Sequence, residues 1–206
     1  MSDLTPTRSA AIGLKEERRA MQEGYVFLDE KCLLLAAAML RELKRYDQAN
    51  VALRTLLAQA GAALAASVCR HGLQELQCHP APASGPDQRP LDLRTRQHSL
   101  MGVALVDATA TRENLNVAQA IYPSPEADAC REAFGALTVQ LATVAAMSGN
   151  LERLHREYRK SVRRVRALQD VLLPELDRDL YEIETQLDEL ERDEALGARW
   201  GRRGLG

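Results

Sequence analysis

Four side chains of types that bind zinc lie close together in the segment "CRHGLQELQCH", namely Cys69, His71, Cys78 and His79. Thiolate and imidazole groups are the usual zinc ligands, so the segment is a candidate metal site. Cys69 and His71 are two residues apart, however, and such positions on a helix point in different directions. The spacing therefore favours a chance cluster near a helix end, and we predict no metal site.

Motifs of the common enzyme classes are absent from the sequence. There is no Gly-rich phosphate loop of the Walker type, no Ser-centred nucleophile elbow and no His-Glu-x-x-His motif. His155 lies in a highly charged segment and is expected at the surface. We therefore predict a chain that is not an enzyme and needs no cofactor.

The most distinctive charge pattern lies in the last third of the chain. Seven basic side chains fall between 153 and 166, whereas eleven acidic ones fall between 170 and 194. This change of sign along one helix favours a rod that passes through surroundings of changing charge, and ion pairs within the chain would explain part of it. Pro174 removes a helical hydrogen bond to Asp170. The expected bend either makes the rod eccentric or accommodates a change of packing register at 165 to 176.

The composition favours an all-α protein with narrow helix contacts. Of the 206 residues, 46% are hydrophobic but only 4% are aromatic, and Ala and Leu dominate. A formal net charge of −2 gives no reason to expect a nucleic-acid partner. No run of about 18 uncharged apolar residues and no secretory signal is seen, so we expect a cytoplasmic chain with reduced cysteines.

The first predicted element, within 1–78, is a long helix. Thr5 is the expected N-cap and Pro6 the first helical residue. Apolar residues then recur at alternating steps of four and three, which is typical of a helix packed along a narrow seam. The predicted seam residues are Met21, Tyr25, Leu28, Cys32, Leu35 and Met39. Glu42 interrupts this row, and the helix is expected to continue to Gly72.

A connecting lobe is predicted at 79–125. The prolines between 79 and 90 oppose a helix, and the alternating residues that follow favour a small β-hairpin near 91–107. A short helix is expected at 112–120. This lobe separates the two long helices, so that an antiparallel two-helix hairpin is expected.

The second long helix is predicted within 126–206, running to about Leu196. Between 158 and 180 its apolar residues average nearly eleven residues per three turns, so left-handed supercoiling should weaken there. The predicted seam residues are Tyr158, Val165, Leu172, Leu176, Ile183, Leu187 and Leu190. On this pattern alone, an antiparallel coiled coil of unknown purpose is an adequate interpretation.

Three segments carry a resemblance to a known family: "LTPTRSAAIGLKEERRAMQEGYVFLDEK" at 4–31, "RRVRALQDVLLPEL" at 163–176 and "IETQLDELERDE" at 183–194. They resemble the D subunit of the V-type and archaeal-type (V/A) rotary ATPases, the central rotor shaft. The segments occur in the order and at about the distance usual in that family, whereas 73–125 matches only in general character. Arg166 stands where the family usually has Asn, and Cys32 where Arg is common.

The resemblance implies a shaft that transmits torque between the head ring of A and B subunits and the membrane rotor ring, during ATP synthesis or ATP-driven ion pumping. The F subunit and the coupling subunit (C or d) are the other implied partners, and the chain would be peripheral to the inner (plasma) membrane on the cytoplasmic side. The implied contacts with the head ring are Thr5, Pro6, Thr7, Arg163, Arg164, Arg166, Pro174, Glu189, Glu191 and Arg192. The alternative interpretation is a coiled-coil stalk or adaptor of a secretion-type ATPase.

Overall fold

Two long helical stretches, with a small sheet between them in chain order, make up the described part of the protein. The computed structural model describes residues 6–77, 79, 91–112 and 123–203. The elements are α1 (Arg8–Leu76), β1 (Asp92–Leu100), β2 (Val103–Thr111), α2 (Pro125–Ala167), a π-helical turn (Leu168–Leu172) and α3 (Leu173–Arg203). The predicted all-α class is confirmed. Thr5, Cys78, most of the Pro-rich segment and nearly all of the helix predicted at 112–120 lie outside the described residues.

The N-terminus of α1 is capped by Thr7. Its Oγ1 accepts the N–H of Ala10 at 3.2 Å, and its carbonyl accepts the N–H of Ala11 at 3.1 Å. Pro6 therefore precedes the helix, whereas the sequence predicted it in the first turn after a cap at Thr5. At the other end, Gly72 leaves helical geometry with φ 73° and ψ 162°, where the sequence predicts that the helix stops.

The N-terminus of α2 is capped by a buried serine. The Ser124 hydroxyl oxygen accepts the N–H of Ala127 at 3.2 Å, and Pro125 occupies the first helical position, where its missing N–H costs nothing. Glu126 and Asp128 follow in the first turn, where the positive end of the helix dipole favours carboxylates. The sequence "SPEAD" therefore specifies this helix start locally.

The predicted β-hairpin is present and extends further than expected, from 92 to 111. The strands pair antiparallel from Asp92 opposite Thr111 to Leu100 opposite Val103. Met101 and Gly102 form the turn with φ values of 49° and 82°. Two positive φ values are what a tight two-residue hairpin turn requires, because they match the twist of the strands.

The chain divides into two compact units. The terminal unit comprises Met1–Leu34 with Tyr158–Gly206, and the central unit comprises Leu35–Glu157. The helical segments run antiparallel within each unit. In the terminal unit Arg8 reaches Glu191, and Lys15 reaches Glu184. In the central unit the Gln140 amide donates to the Ala49 carbonyl at 3.0 Å. The predicted division of the chain at 78 and 125 stays a prediction.

The interior of each unit is a narrow row of side chains. In the terminal unit Ala11, Leu14 and Ile183 are buried, with Leu176, Leu180 and Leu187 packed against them. In the central unit the largest fully buried apolar side chains are Leu35 and Leu154. Small residues such as Ala38 and Ala60 complete the central row. This Ala-rich interior is what the low aromatic content predicts.

Most residues of the predicted seam lie in these rows. Those that are buried or half-buried are Met21, Tyr25, Leu28, Cys32, Leu35, Met39, Tyr158, Val165, Leu176, Ile183 and Leu187. Two do not: Leu172 is 39% exposed and Leu190 is 49% exposed. Leu173 takes the interior place that the sequence pattern gave to Leu172, because the π-helical turn shifts the row by one residue.

Candidate partner-binding surfaces

The basic segment of α2 lies on the outside of the terminal unit. Arg163, Arg164 and Arg166 are exposed, and none of them forms an ion pair with the described part of the chain. The neighbouring interior positions on the same helix are Ser161 and Val165, both buried. We call Arg163, Arg164 and Arg166 the arginine band. Exposed cations that have no ion-pair partner in the described part of the chain attract an acidic surface on another molecule.

The acidic segment of α3 is arranged differently, because it is partly neutralised by α1. Glu191 accepts a bond from Arg8 at 2.5 Å, Glu184 pairs with Lys15 at 2.7 Å, and Asp177 pairs with Arg18. The three acids are seven residues apart, so they lie on one edge of α3. Glu191 raises the pKa of the Arg8 guanidinium by hydrogen bonding and by charge.

The sequence left two explanations open for the acidic segment: surroundings of changing charge, or ion pairs within the chain. The three pairs with α1 show that ion pairing accounts for part of it. Exposed pairs of this kind contribute about 0–1 kcal/mol each, so they add little to stability. Glu189 and Arg192 are exposed on the same helix, and Pro174 is exposed next to the π-helical turn. Pro6 and Thr7 lie at the start of α1, next to Arg8.

The central unit presents a second kind of surface, which is apolar. Large hydrophobic side chains on the outer side of its helices are more than a third exposed: Leu40, Leu43, Val51, Leu57, Leu64, Phe134 and Leu141. We call these residues the outer apolar row. Several of them recur at steps of seven residues, such as Leu57 with Leu64 and Phe134 with Leu141, so they align along their helices. Aligned exposed apolar residues on soluble proteins mark interaction sites.

The β-hairpin is fastened to the helices of the central unit by Asn150. This side chain is 2% exposed and binds both backbone groups of Val106: its Oδ1 accepts the N–H at 2.8 Å, and its Nδ2 donates to the carbonyl at 2.9 Å. Nδ2 also lies 3.4 Å from Glu42 on α1, and Arg153 donates to Oδ1 at 3.1 Å. One amide therefore connects β2, α1 and α2.

Glu42 takes part in this network. Its side chain is only 12% exposed, and it is bonded to Arg45 at 3.1 Å. The sequence pattern treats Glu42 as an interruption of the seam, but the structure places it within the row, where Asn150 and Arg45 satisfy its carboxylate. Asn150 was not singled out from the sequence. The only sequence signal is its position four residues before Leu154, on the inner side of α2.

A second fastening lies at the end of β2. Arg112 makes two hydrogen bonds with Glu132, at 2.6 and 2.9 Å. Its guanidinium lies across Gly135, since a Cβ at that position would come within 2.6 Å of Arg112 Nη1. An apolar groove of about 340 Å³ lies beside it, lined in part by Cys130 and Phe134. The sequence offered no signal for this contact, because its partners are 20 residues or more apart.

Of the candidate zinc-binding residues, His71 contacts the joint between α1 and α2, and His79 contacts His71. The Ser124 hydroxyl lies 2.6 Å from His71 Nε2, and the rings of His71 and His79 contact edge to face at 5.0 Å. Cys69 is exposed. Within the described ranges, no group of three metal-binding side chains is placed to hold an ion. The joint is completed by a bond from Ser67 to the Glu126 carbonyl at 2.8 Å and by the Arg70–Glu126 pair, which lowers the Glu126 pKa.

Comparison with known proteins identifies the family. The model of the family described as the D subunit of ATP synthase matches residues 10–199. The chain belongs to this family. It is 25% identical to the V-type ATP synthase D subunit of Thermotoga neapolitana, covering 93% of each chain. It is 26% identical to the A-type ATP synthase D subunit of Methanoregula boonei, covering 94% of this chain and 93% of the relative. It is also 27% identical to the V-type ATP synthase D 2 subunit of Treponema pallidum, covering 92% of this chain and 90% of the relative.

Membership of the D-subunit family makes the chain a component of a rotary ATPase, a membrane-associated complex of several subunits. Both long helical stretches contain an 18-residue window that is apolar enough, by length and composition alone, to cross a membrane. This is a weak indication, since core helices of soluble proteins pass the same test. Only 11% and 17% of the residues in these two windows are buried within the chain.

Proposed function

We propose that the chain is the central rotor shaft of a V/A-type rotary ATPase, where it transmits torque between the A/B head and the membrane rotor ring. It performs no chemistry itself. Its partners in this proposal are the A and B subunits, the F subunit and the coupling subunit (C or d), and it lies on the cytoplasmic side of the membrane. The family match over 10–199 is the observation that carries the proposal.

The terminal unit supports contact with the head ring. A shaft can bias the conformations of surrounding subunits only through interactions that differ between its sides. The arginine band provides such a difference, because its cations are exposed and have no ion-pair partner among the described residues, while three acids of α3 are paired to α1. The antiparallel helices of this unit also give a packed two-helix body rather than a flexible linker.

The central unit supports contact with the F subunit. The region proposed for this contact is 40–65 and 130–155, and the outer apolar row lies within it. Apolar side chains that are exposed in the isolated chain become favourable when a partner buries them, at about 25 cal/mol per Å². We place the coupling-subunit contact at the lobe that contains the β-hairpin.

The test is purification of the chain at native expression from its own host, followed by native mass spectrometry and an ATP hydrolysis assay. We expect A, B and F subunits, one copy of this chain per ring, and ATP turnover that falls when the chain is omitted on reassembly. A homodimer, or secretion-system components alone, would refute the shaft proposal and support the coiled-coil adaptor.

Two sets of substitutions test the two surfaces against each other. Changing Arg163, Arg164 and Arg166 together to Glu should weaken binding to an A/B ring and leave binding of the F subunit intact. Leu40→Asp with Leu57→Asp should do the reverse. Each variant is the control for the other, because both alter exposed residues and neither disturbs a buried row. If both variants bind both partners as the natural chain does, these surfaces are not the contacts.

A further inference from the structure

The π-helical turn is the only place in the described terminal unit where the interior row departs from a heptad pattern. On the α2 side, interior residues follow at steps of three and four: Tyr158, Ser161, Val165 and Leu168. On the α3 side they do so again: Leu173, Leu176, Leu180, Ile183 and Leu187. The step from Leu168 to Leu173 is five residues, and it coincides with the π-helical turn Leu168–Leu172.

The opposing helix contains no matching irregularity. On α1 the interior residues Met21, Tyr25, Leu28 and Cys32 keep steps of four and three. The extra residue on the α2–α3 side is therefore confined to one turn. The sequence predicts a gradual loosening toward eleven residues per three turns between 158 and 180. The structure instead has two regular heptad segments joined by a single wide turn.

The hydrogen bonding of this turn explains why it forms where it does. The Leu173 N–H donates to the Leu168 carbonyl, five residues back. Pro174 has no N–H to donate, and its ring would clash with a carbonyl of the preceding α-helical turn. Widening that turn relieves the clash and inserts one residue. Leu168 at the start of the turn is half-buried in the interior row, but no residue of the turn is fully buried, and Val171 and Leu172 are exposed at 48% and 39%. Packing within this chain therefore holds the rest of the turn only weakly.

We propose that this turn, with Pro174, is a torsional joint of the terminal unit, at which α3 can change its twist about α1 while both heptad segments stay packed. A turn with one lost hydrogen bond and a single half-buried side chain opens more easily than the α-helical turns on either side. The proposal rests on the proposed shaft function, since it assigns the joint to a chain that is loaded in torsion.

The test is a variant without the joint, made by deleting Asp170 and changing Pro174→Ala. The deletion turns the five-residue step into one of four, so the interior row becomes an unbroken heptad, and the alanine restores the missing N–H. We expect the midpoint of thermal unfolding to rise by about 5 °C or more. We also expect amide exchange at residues 168–175 to slow at least about tenfold, since the joint's local opening would be removed.

Deletion of Arg178 is the matched control. Like the deletion of Asp170, it removes one exposed residue, but from α3, where the steps are regular, so Leu180, Ile183 and Leu187 would leave the interior row. We expect this deletion to lower the midpoint of unfolding. If both deletions destabilise the chain equally, the five-residue step does not contain an extra residue relative to the heptad pattern, and the proposal is wrong. Pro174→Ala alone, which keeps the chain length, should still slow exchange at the turn.

The functional readout is the ATP turnover of the reassembled complex. We expect the variant without the joint to occupy the complex as the natural chain does, but to reduce turnover at least about twofold. Full occupancy with unchanged turnover would refute the torsional role. If even the natural chain fails to assemble with A and B subunits, it is the shaft proposal that fails. The exchange and unfolding measurements on the isolated chain then still decide whether the joint exists.

Discussion

Removing the Asn150 side chain should release the β-hairpin from the helices of the central unit. Asn150→Ala leaves the N–H and the carbonyl of Val106 without their partners at 2.8 and 2.9 Å, and it takes one hydrogen-bond partner from Glu42. A buried polar group without a partner costs about 1–3 kcal/mol. Val106 is half-buried, so water can reach it in part. We therefore expect a loss of about 2–4 kcal/mol in the free energy of unfolding.

The assay is urea unfolding of the full chain, combined with hydrogen exchange at the Val106 amide. Exchange should become faster in Asn150→Ala, whereas amides in the middle of α1 should change only with global stability. Gln140→Ala is the matched control, since it removes one bond from another side-chain amide of α2 to a helix carbonyl. That control should cost only about 0.5–1.5 kcal/mol.

Two results would refute this reasoning. One is a loss in Asn150→Ala no larger than in Gln140→Ala. The other is a Val106 amide that stays as protected as in the natural chain, which would mean that other contacts hold the hairpin. In either case Asn150 would be an ordinary buried polar residue of α2 and not the fastening between the sheet and the helices.

Three further outcomes are expected. The pKa of Glu126 is lowered because an arginine side chain of α1 donates a hydrogen bond to its carboxylate. The ionised carboxylate therefore stabilises the fold above the unfolded-state pKa of about 4.3, and this stabilisation is lost as the pH falls through the lower pKa of the folded state. Glu126→Gln should therefore be less stable than the natural chain at pH 7 and equally stable in strong acid, by urea unfolding at both. Gly135→Ala should displace the Arg112 guanidinium, whose flexible side chain can move, so the lost contact with Glu132 should offset the gain in helix propensity. Gly61→Ala, with open space around it, should raise the free energy of unfolding by up to about 1 kcal/mol, and thermal unfolding of both variants measures the difference. Leu35→Ala should lower the free energy of unfolding by about 2–5 kcal/mol because the side chain is fully buried. Leu33→Ala, at an exposed position, should lower it by about 0.5 kcal/mol or less. Equal losses in the two variants would contradict the assignment of Leu35 to the interior row.

Helix periodicity was readable from the sequence because a heptad pattern is local. The spacing of Met21, Tyr25, Leu28 and Cys32 depends only on the 3.6-residue turn of a helix, and it holds in the structure. Gly72 as the end of regular helix and the hairpin after the Pro-rich segment were predicted on similarly local grounds. The family could be inferred from short segments near the two ends of the chain, and the comparison with known proteins shows it.

The sequence did not predict the N-cap at Thr7 or the interior position of Leu173, because in each case a second residue of the same type lies one or two positions away. Thr5 and Thr7 both flank Pro6, and only the observed bond to Ala10 distinguishes them. Leu172 and Leu173 are adjacent, so a single inserted residue decides which one faces inward. A pattern of average spacing cannot show whether an extra residue is spread over several turns or confined to one.

By itself, then, the sequence determined the class of fold, the two long helical stretches, the hairpin and the basic-to-acidic pattern, because each depends on neighbours a few residues away. Tertiary structure decided which charges are paired and which are left for other molecules, since the α1 partners of the α3 acids lie more than 150 residues away. It also decided the roles of Asn150 and Arg112. Their hydrogen bonds join elements whose separation in the chain carries no periodic signal, so only the packed structure brings them together.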